Sequence, residues 1–155
     1  MKTLIVYYTK TGHTLEATKA TAKGIKDAGS EVDILEITKF EPALLKNYDS
    51  FIVAAPCWDG GITDNGVPKY VTRVLESLPE YSLHDMRCGG ISVHASKGGD
   101  TTVKTIGDLL NEKGATDYRE GPVAIAGTPL SVDKGQSVSS EDLERYKIFG
   151  SRFVE

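Results

Sequence analysis

Short apolar runs alternate along the chain with segments in which apolar residues recur every three or four positions. The runs lie at residues 4–8, 32–37, 50–55, 90–95 and 123–126. The first and third runs are continuously apolar, and the second alternates in part between apolar and polar residues. Runs of this length are typical of strands that are buried in a sheet. The pattern therefore predicts five strands.

The segments between the runs have the apolar spacing of amphipathic helices. Helices are predicted at residues 14–28, 67–78 and 101–113, with a shorter one around residues 43–45 and a last one that begins near Ser140. A glycine directly follows the first and third of the long segments, which is a standard signal for the end of a helix. Acidic residues follow the start of the last helix, where the helix dipole favours negative charge.

Strands and helices thus alternate five times, which predicts an α/β fold with a parallel sheet and helices on both faces. Five units in a chain of 155 residues suit the strand order 2-1-3-4-5. In such sheets ligands bind beyond the carboxyl ends of the strands, where the strand order reverses between strands 1 and 3. The loops after Tyr8, Ala55 and Ala95 are therefore the candidate binding loops.

Composition narrows the class of protein. The chain has 39% hydrophobic and 26% charged residues, and no repeat or linker interrupts it, so we expect one domain over residues 1–155. Its formal charge of -4 and its scattered basic residues argue against nucleic acid as a partner. No apolar stretch is long enough to span a membrane, and the apolar run that ends at Tyr8 is shorter than a usual signal-peptide core. We expect a cytoplasmic protein without membrane association.

The chain has two cysteines, Cys57 and Cys88, which are too few for a disulfide framework or a zinc site. We expect both to be reduced thiols in or near the core, and we assign no metal ligand.

The loop after the first strand has the composition of a phosphate site. Thr9-Lys10-Thr11-Gly12-His13-Thr14 offers three hydroxyls and a glycine immediately before a helix. Free backbone N–H groups at a helix N-terminus bind phosphate, and threonine hydroxyls add donors without charge. A simple capped turn remains the alternative, although such a turn needs one hydroxyl rather than three. The segment lacks the Gly-Lys-Ser/Thr ending of nucleotide-triphosphate loops and the G-x-G-x-x-G of dinucleotide sites, so a mononucleotide is expected.

This segment resembles the flavodoxin fingerprint, (Thr/Ser)-x-Thr-Gly-x-Thr, and matches it at every defined position. The resemblance implies a flavodoxin-like three-layer sandwich with a five-stranded parallel sheet of order 2-1-3-4-5. It also implies that this loop wraps the phosphate of flavin mononucleotide (FMN). Lys10 and His13 occupy the variable positions, whose side chains are expected to point to solvent, and neither receives a chemical role.

The loop after the third strand is expected to meet the flavin ring. It reads Pro56-Cys57-Trp58-Asp59-Gly60 and carries the single tryptophan of the chain. A flat aromatic ring at this edge suits stacking on an isoalloxazine, although a tryptophan in a loop can also cap the core. The segment resembles the Pro-x-(Trp/Tyr)-x-Gly of the family's first flavin-contacting loop. Cys57 is expected to be buried near the ring without a redox role.

The loop after the fourth strand, Ala95-Ser96-Lys97-Gly98-Gly99-Asp100, matches the family in position more than in residues. Its glycines suit backbone N–H groups that approach the N1 edge of a flavin. It lacks the second aromatic residue and the run of acids that are usual in electron-carrier flavodoxins, which favours a flavin with one open face. His94, which precedes it, is expected to have a structural or hydrogen-bonding role.

The leading functional prediction is an FMN flavoprotein that transfers electrons to redox partner proteins or a small-molecule acceptor, as a monomer or homodimer. No residue is assigned as catalytic, because the flavin carries the chemistry. The alternative is an FMN-dependent NAD(P)H:quinone-type oxidoreductase, which the open flavin face favours. A flavin-free signalling module is disfavoured, because strands 1 and 3 end without the acidic residues that such modules need to hold magnesium.

Overall fold

The computed structural model describes residues 1–57, 63–64, 66–95, 98–128 and 135–155. The strands in these residues are β1 (Lys2–Tyr7), β2 (Glu31–Glu36), β3 (Ser50–Cys57), β4 (Thr63–Asp64), β5 (Val67–Pro68), β6 (Arg87–His94) and β7 (Asp117–Ile125). Five of them form one sheet, in the order β2-β1-β3-β6-β7, and every pair in it is parallel. Counted in chain order within that sheet, this is 2-1-3-4-5, so the predicted topology is confirmed.

Four α-helices and two 3₁₀ helices accompany the strands in the described residues. The α-helices are α1 (His13–Asp27), α2 (Lys69–Glu76), α3 (Gly99–Glu112) and α4 (Ser140–Phe153), and the 3₁₀ helices are Ile37–Lys39 and Pro42–Asn47. The short helix predicted around residues 43–45 is the second 3₁₀ helix. None of the helices in this part of the chain is both long and apolar enough to cross a membrane.

Two predicted boundaries differ from the structure. The helix predicted at residues 67–78 begins at Lys69, because Val67 and Pro68 form β5, which pairs antiparallel with β4. Proline disfavours the helical conformation at the residue before it, Val67, and Pro68 is itself extended, so the helix starts after it. The fifth strand of the sheet begins at Asp117 rather than at residue 123. It lies at the sheet edge, where polar residues are tolerated, so its first half does not read as an apolar run.

Each face of the sheet carries its own apolar core. In β1, Leu4 and Val6 pack on one face with side chains of α2 and α3. Ile5, which points the other way, packs with side chains of α1 and α4. This alternation follows from the period of two in a strand. Helices therefore cover both faces, and the three-layer arrangement is confirmed.

Helices α1 and α4 approach each other so closely that glycine is required at the contact. A Cβ atom on Gly24 would lie 1.9 Å from the backbone oxygen of Lys147, and one on Gly150 would lie 2.0 Å from that of Thr21. No side chain fits these gaps. The two glycines therefore fix how α1 sits on the sheet.

On the other face, Tyr118 of β7 fills the space between β6 and α3. A Cβ atom on Gly107 would lie 2.4 Å from the Tyr118 ring, and one on Gly90 would lie 2.3 Å from its hydroxyl oxygen. The hydroxyl donates to the backbone oxygen of Val103 in α3. Burial, with a smaller contribution from the Glu120 charge, raises the pKa of Tyr118 far above its ordinary value, so the hydroxyl stays protonated. The ring ties α3 to the sheet edge.

At the edge of the sheet where the strands begin, Arg87 binds Asp117 and the backbone of the last helix. Its Nε donates to Asp117 at 2.9 Å, and its NH1 group donates to the backbone oxygens of Phe153 and Glu155 at 2.7 and 2.8 Å. Cys88, the next residue, is fully buried, and burial raises the pKa of its thiol to about 12. It is the buried protonated thiol that the sequence predicts.

We expect Gly24→Ala to lower the free energy of unfolding by about 2 kcal/mol, in the range of overpacked cores. Alanine normally improves a helix by about 1 kcal/mol relative to glycine, so the contact with α4 reverses the usual sign. Urea unfolding measures the change. Lys26→Ala, an exposed position on the same helix, is the control and should change stability by less than about 0.5 kcal/mol. A Gly24→Ala variant as stable as the parent would contradict the close helix contact.

The Asp117 carboxylate gives a second prediction. The hydrogen bond from Arg87 holds the pKa of Asp117 below its ordinary value, partial burial acts in the opposite direction, and Arg119 adds to the lowering. A carboxyl whose pKa is lower when folded stabilises the fold above its unfolded pKa of about 3.9, and this contribution disappears as the pH falls through the folded pKa.

Asp117→Asn should therefore reduce the free energy of unfolding at pH ~7 by about 1 kcal/mol at most, because the half-exposed carboxylate is screened by solvent. The difference between variant and parent should shrink as the pH falls through the lowered pKa of folded Asp117, because the protonated carboxyl no longer carries the charge that Arg87 binds. Urea unfolding at neutral and at acidic pH tests this, with the exposed Asp108→Asn as control. An equal loss at both pH values would mean that packing, rather than charge, is responsible.

Candidate functional site

A cleft opens at the carboxyl edge of the sheet, where the strand order reverses between β1 and β3. Residues from four strand ends and their loops line it: Thr9, Lys10, Thr11, His13, Thr14, Pro56, Cys57, Val93, Ala95, Ala126, Gly127 and Thr128. The three loops predicted from the sequence thus meet at one place. The segment after β7 joins them, which was not predicted.

The loop after β1 presents a helix N-terminus to the cleft. Gly12 is the N-terminal cap of α1 with φ +95°, a left-handed conformation that favours glycine, and no side chain caps the helix. The Thr9 hydroxyl oxygen accepts a hydrogen bond from Gly12 N–H at 3.0 Å, which holds the turn. The first intrahelical bond runs from Glu16 N–H to the Gly12 oxygen at 3.0 Å. The N–H groups of His13, Thr14 and Leu15, which precede Glu16, have no acceptor within the helix.

His13 differs from its prediction. The sequence places its side chain in solvent, but the residue is only 4% exposed and lines the cleft. Its Nδ1 lies 2.9 Å from Glu16 Oε1, one helical turn further along α1. Residues three apart on a helix share a face, so the ring folds over the first turn instead of extending outward. Lys10, the other variable position, is exposed as expected.

The end of β3 provides the floor of the cleft. Pro56 and Cys57 are the last residues of this strand, and both are half-buried rather than buried. A Cβ atom on Gly98 would lie 2.7 Å from Cys57 Sγ, so the thiol packs against the loop after β6. Cys57 was expected to be buried, but its position at the strand end leaves part of it accessible. Trp58, Asp59 and Gly60 lie outside the described residues, and their roles stay predictions.

The loop after β6 is fixed by its glycines. Ala95 lines the cleft, and Gly98, with φ +97°, is the uncapped N-terminus of α3. Gly99 is buried, and its N–H donates to His94 Nδ1 at 3.0 Å, so this donor is used within the protein. Asp100 is exposed in the first turn of α3. The remaining predicted residues of the loop, Ser96 and Lys97, lie outside the described residues.

The segment after β7 reaches the cleft through two backbone bonds. Ala126 N–H donates to the oxygen of His94 at 2.9 Å, and Gly127 N–H donates to the oxygen of Gln136 at 2.7 Å. These bonds place Thr128 at the cleft wall. The signal was available in the sequence, because every strand of a parallel sheet ends at the same edge and the residues after the fifth strand are rich in turn formers.

The chemistry of the lining suits a phosphorylated ligand. None of the described residues that line the cleft is acidic, whereas Lys10 and His13 can be cationic and four threonines supply hydroxyls. In the described part of the chain, no group of three or more His, Cys, Asp or Glu residues is placed to hold a metal ion. An uncapped helix start, hydroxyl donors and a described lining without carboxylates fit the phosphate of FMN.

Comparison with known proteins identifies the family and the shared fold. The sequence profile of the flavodoxin family matches residues 5–141. Among solved structures, a flavodoxin from Streptococcus pneumonia TIGR4 superposes with a TM-score of 0.73 at 21% identity, over 99% of this chain and 98% of that one. Oxidised Flavodoxin 1 from Bacillus cereus gives a TM-score of 0.72 at 21% identity, over 99% and 97% of the two chains. These likenesses establish the shared fold.

A curated relative has a different name. Protoporphyrinogen IX dehydrogenase [quinone] of Escherichia coli (strain K12) is 32% identical over 89 residues, which are 54% of this chain and 49% of that protein. The chain thus spans about half the length of the curated relatives it matches.

Fold and site together define a flavodoxin-like α/β protein with a cleft suited to FMN. The chain belongs to the flavodoxin family. FMN, the cofactor expected from the sequence, is the cofactor of that family.

The phosphate loop is testable with a matched pair of glycines. Gly12→Ala should raise the Kd for FMN about tenfold, because a left-handed alanine costs about 1–2 kcal/mol and the loop would relax away from its geometry. Gly29→Ala is the control: its φ is +84°, no atom lies within 4 Å of either Cβ position, and it lies at the far end of α1. This control should lose similar stability without any change in FMN affinity. Flavin fluorescence titration measures the FMN affinity of both variants. Equal affinities for the two would contradict a role for Gly12 in binding the phosphate.

Proposed function

We propose that the chain holds FMN across the carboxyl edge of its sheet and passes electrons through it between redox partners. The observation that carries this proposal is the meeting of an uncapped helix N-terminus, a left-handed glycine and threonine hydroxyls in one cleft whose described lining residues include no acid. A dianionic phosphate is stabilised by such donors and by the positive end of the helix dipole. Residues 1–155 act in this proposal as a single domain.

The residues of the cleft divide between the two ends of the cofactor. The phosphate end is assigned to the loop after β1: Thr9, Lys10, Thr11, Gly12, His13 and Thr14. The ring end is assigned to the other two predicted loops: Pro56, Cys57, Trp58, Asp59, Gly60, Ala95, Ser96, Lys97, Gly98, Gly99 and Asp100. Among these, Gly99 does not offer its N–H to the ligand, because that N–H is already bonded to His94. Thr128, which the sequence analysis missed, joins the wall beside the phosphate loop.

When bound, the flavin supplies one-electron and two-electron redox chemistry, and the protein binds, orients and shields it. The chain's own groups set the environment of that chemistry. The small side chains of Ala95 and Ala126 let the backbone approach a flat ligand closely. No nucleophile or proton donor is assigned, because electron transfer through a ring edge needs only contact and a tuned potential.

A second function is favoured by one observation. The named curated relative is a quinone-linked dehydrogenase, and its similarity to this chain exceeds 30% over about half of each protein. An FMN-dependent quinone-type oxidoreductase, in which a quinone exchanges electrons directly with the flavin, is therefore the alternative. The two functions differ in access: a carrier exposes the ring edge, whereas a small-molecule oxidoreductase exposes a ring face.

The proposal extends to partners and location. The partners are redox proteins or a small-molecule acceptor, and not nucleic acid, because the formal charge is -4 and the basic residues are scattered along the sequence. We infer a cytoplasmic protein, as a monomer or homodimer. The buried thiol of Cys88 suits a reducing compartment.

Reconstitution and anaerobic reduction test the proposal. The purified chain should take up one FMN and turn yellow, and photoreduction should resolve two separate one-electron steps while NADH and NADPH leave the spectrum unchanged. A single two-electron step driven by a nicotinamide or a quinol, with quinone turnover, would establish the alternative instead. A chain that takes up no FMN would overturn both functions. Unchanged binding of riboflavin and FMN by the Gly12→Ala variant would overturn only the assignment of the phosphate end.

A further inference from the structure

The imidazole of His94 makes a hydrogen bond that the electron-transfer function does not by itself explain. His94 ends β6, and its Nδ1 accepts the N–H of Gly99 at 3.0 Å, across the four residues of the loop after β6. An accepting Nδ1 defines the neutral tautomer that carries its proton on Nε2. Val93 and Ala95 line the cleft, whereas their neighbour His94 does not. The described contact of its ring is with the backbone of Gly99, next to the cleft lining.

We propose that His94 is a positioning residue that fixes Gly98 and Gly99, where the chain enters α3, and thereby part of the ring end of the flavin site. This inference rests on the proposed function. The imidazole of His94 accepts the N–H of Gly99, so the start of α3 is tied to the last residue of β6.

Close contacts restrict the backbone at Gly98 and Gly99, where the loop ends. A Cβ atom on Gly99 would lie 2.1 Å from Val123 Cγ1, so the backbone there is pressed onto β7. The Gly98 oxygen accepts from both Thr102 N–H and the Thr102 hydroxyl, at 3.0 and 3.1 Å. Gly99 is buried, and a buried N–H without an acceptor is unfavourable. Without the His94 acceptor, the loop would have to move to satisfy that N–H group.

His94 also connects the other walls of the cleft. Its backbone oxygen accepts Ala126 N–H at 2.9 Å, which anchors the segment after β7. It pairs in strand register with Cys57, the residue that lines the cleft from β3. Cys57 Sγ in turn packs closely against Gly98, because a Cβ atom on Gly98 would lie 2.7 Å from that sulfur. His94 thus pairs with or bonds to three of the four segments that line the cleft: the end of β3, the loop after β6 and the segment after β7.

Three substitutions separate this role from simple packing. His94→Asn retains an acceptor, because the Asn oxygen can take the place of Nδ1. His94→Gln places its polar atoms near Nε2 instead, and His94→Leu removes the acceptor. We expect His94→Leu and His94→Gln to raise the Kd for FMN about tenfold, and His94→Asn to stay within about threefold of the parent.

Riboflavin, which has no phosphate, distinguishes the two ends of the site. His94→Leu should weaken the binding of riboflavin and of FMN by the same factor, because the residues that His94 positions are assigned to the ring end of the site. Gly12→Ala should weaken FMN alone. Amide exchange of Gly99 in the flavin-free full-length chain supplies a readout independent of any ligand, and it should quicken at least about tenfold in the Leu and Gln variants, but not in Asn.

Two results would overturn the positioning role. One is an unchanged riboflavin Kd in His94→Leu although Gly99 exchange quickens, which would make the bond purely structural. The other is an Asn variant as impaired as Leu, which would assign the effect to the imidazole volume. Failure of the parent chain to bind any flavin would refute the proposed function, and the exchange data would still report on the hydrogen bond.

Discussion

All strands of the main sheet run in the same direction, and this constraint determines where everything else lies. A parallel neighbour can be reached only by a crossover, so each strand is followed by a helix that covers one face. Every strand then ends at the same edge. Because the order reverses between β1 and β3, the connections from these two strands leave on opposite faces and a gap opens between them. The cleft is the direct result of that reversal.

The starts of the helices at this edge are adapted differently. Helix α4 is capped by its own sequence, since the Ser139 hydroxyl accepts the N–H of Asp142 at 3.1 Å. Helices α1 and α3 begin instead at Gly12 and Gly98, which have no side chain to offer and take left-handed conformations. At α1 the first N–H groups are therefore not consumed by a cap, whereas at α3 the N–H of Gly99 is already taken by His94 Nδ1. Glycine at position 12 leaves donors and space for a ligand.

Sequence reasoning succeeded where a signal is local and failed where it depends on tertiary contacts. Apolar runs and helical spacing were sufficient for the five strands of the main sheet and their order. The burial of His13 was missed, because it depends on a ring that folds over its own helix toward Glu16. The early start of β7 was missed, because an edge strand does not need apolar residues. The contribution of Thr128 was missed, although the rule that all parallel strands end at one edge points to the segment after the fifth strand.

Packing far from the cleft sets the precision of the site. The position of α1 is fixed by the contacts of Gly24 and Gly150 with the backbone of the opposing helix, where no relaxation is available. The position of α3 is fixed by Tyr118, wedged against Gly107 and Gly90 and bonded to Val103. Close-packed interiors transmit displacement rather than absorb it. A shift of either helix would carry its N-terminal donors with it, so the geometry offered to a phosphate or a flavin ring is determined by glycines that never touch the ligand.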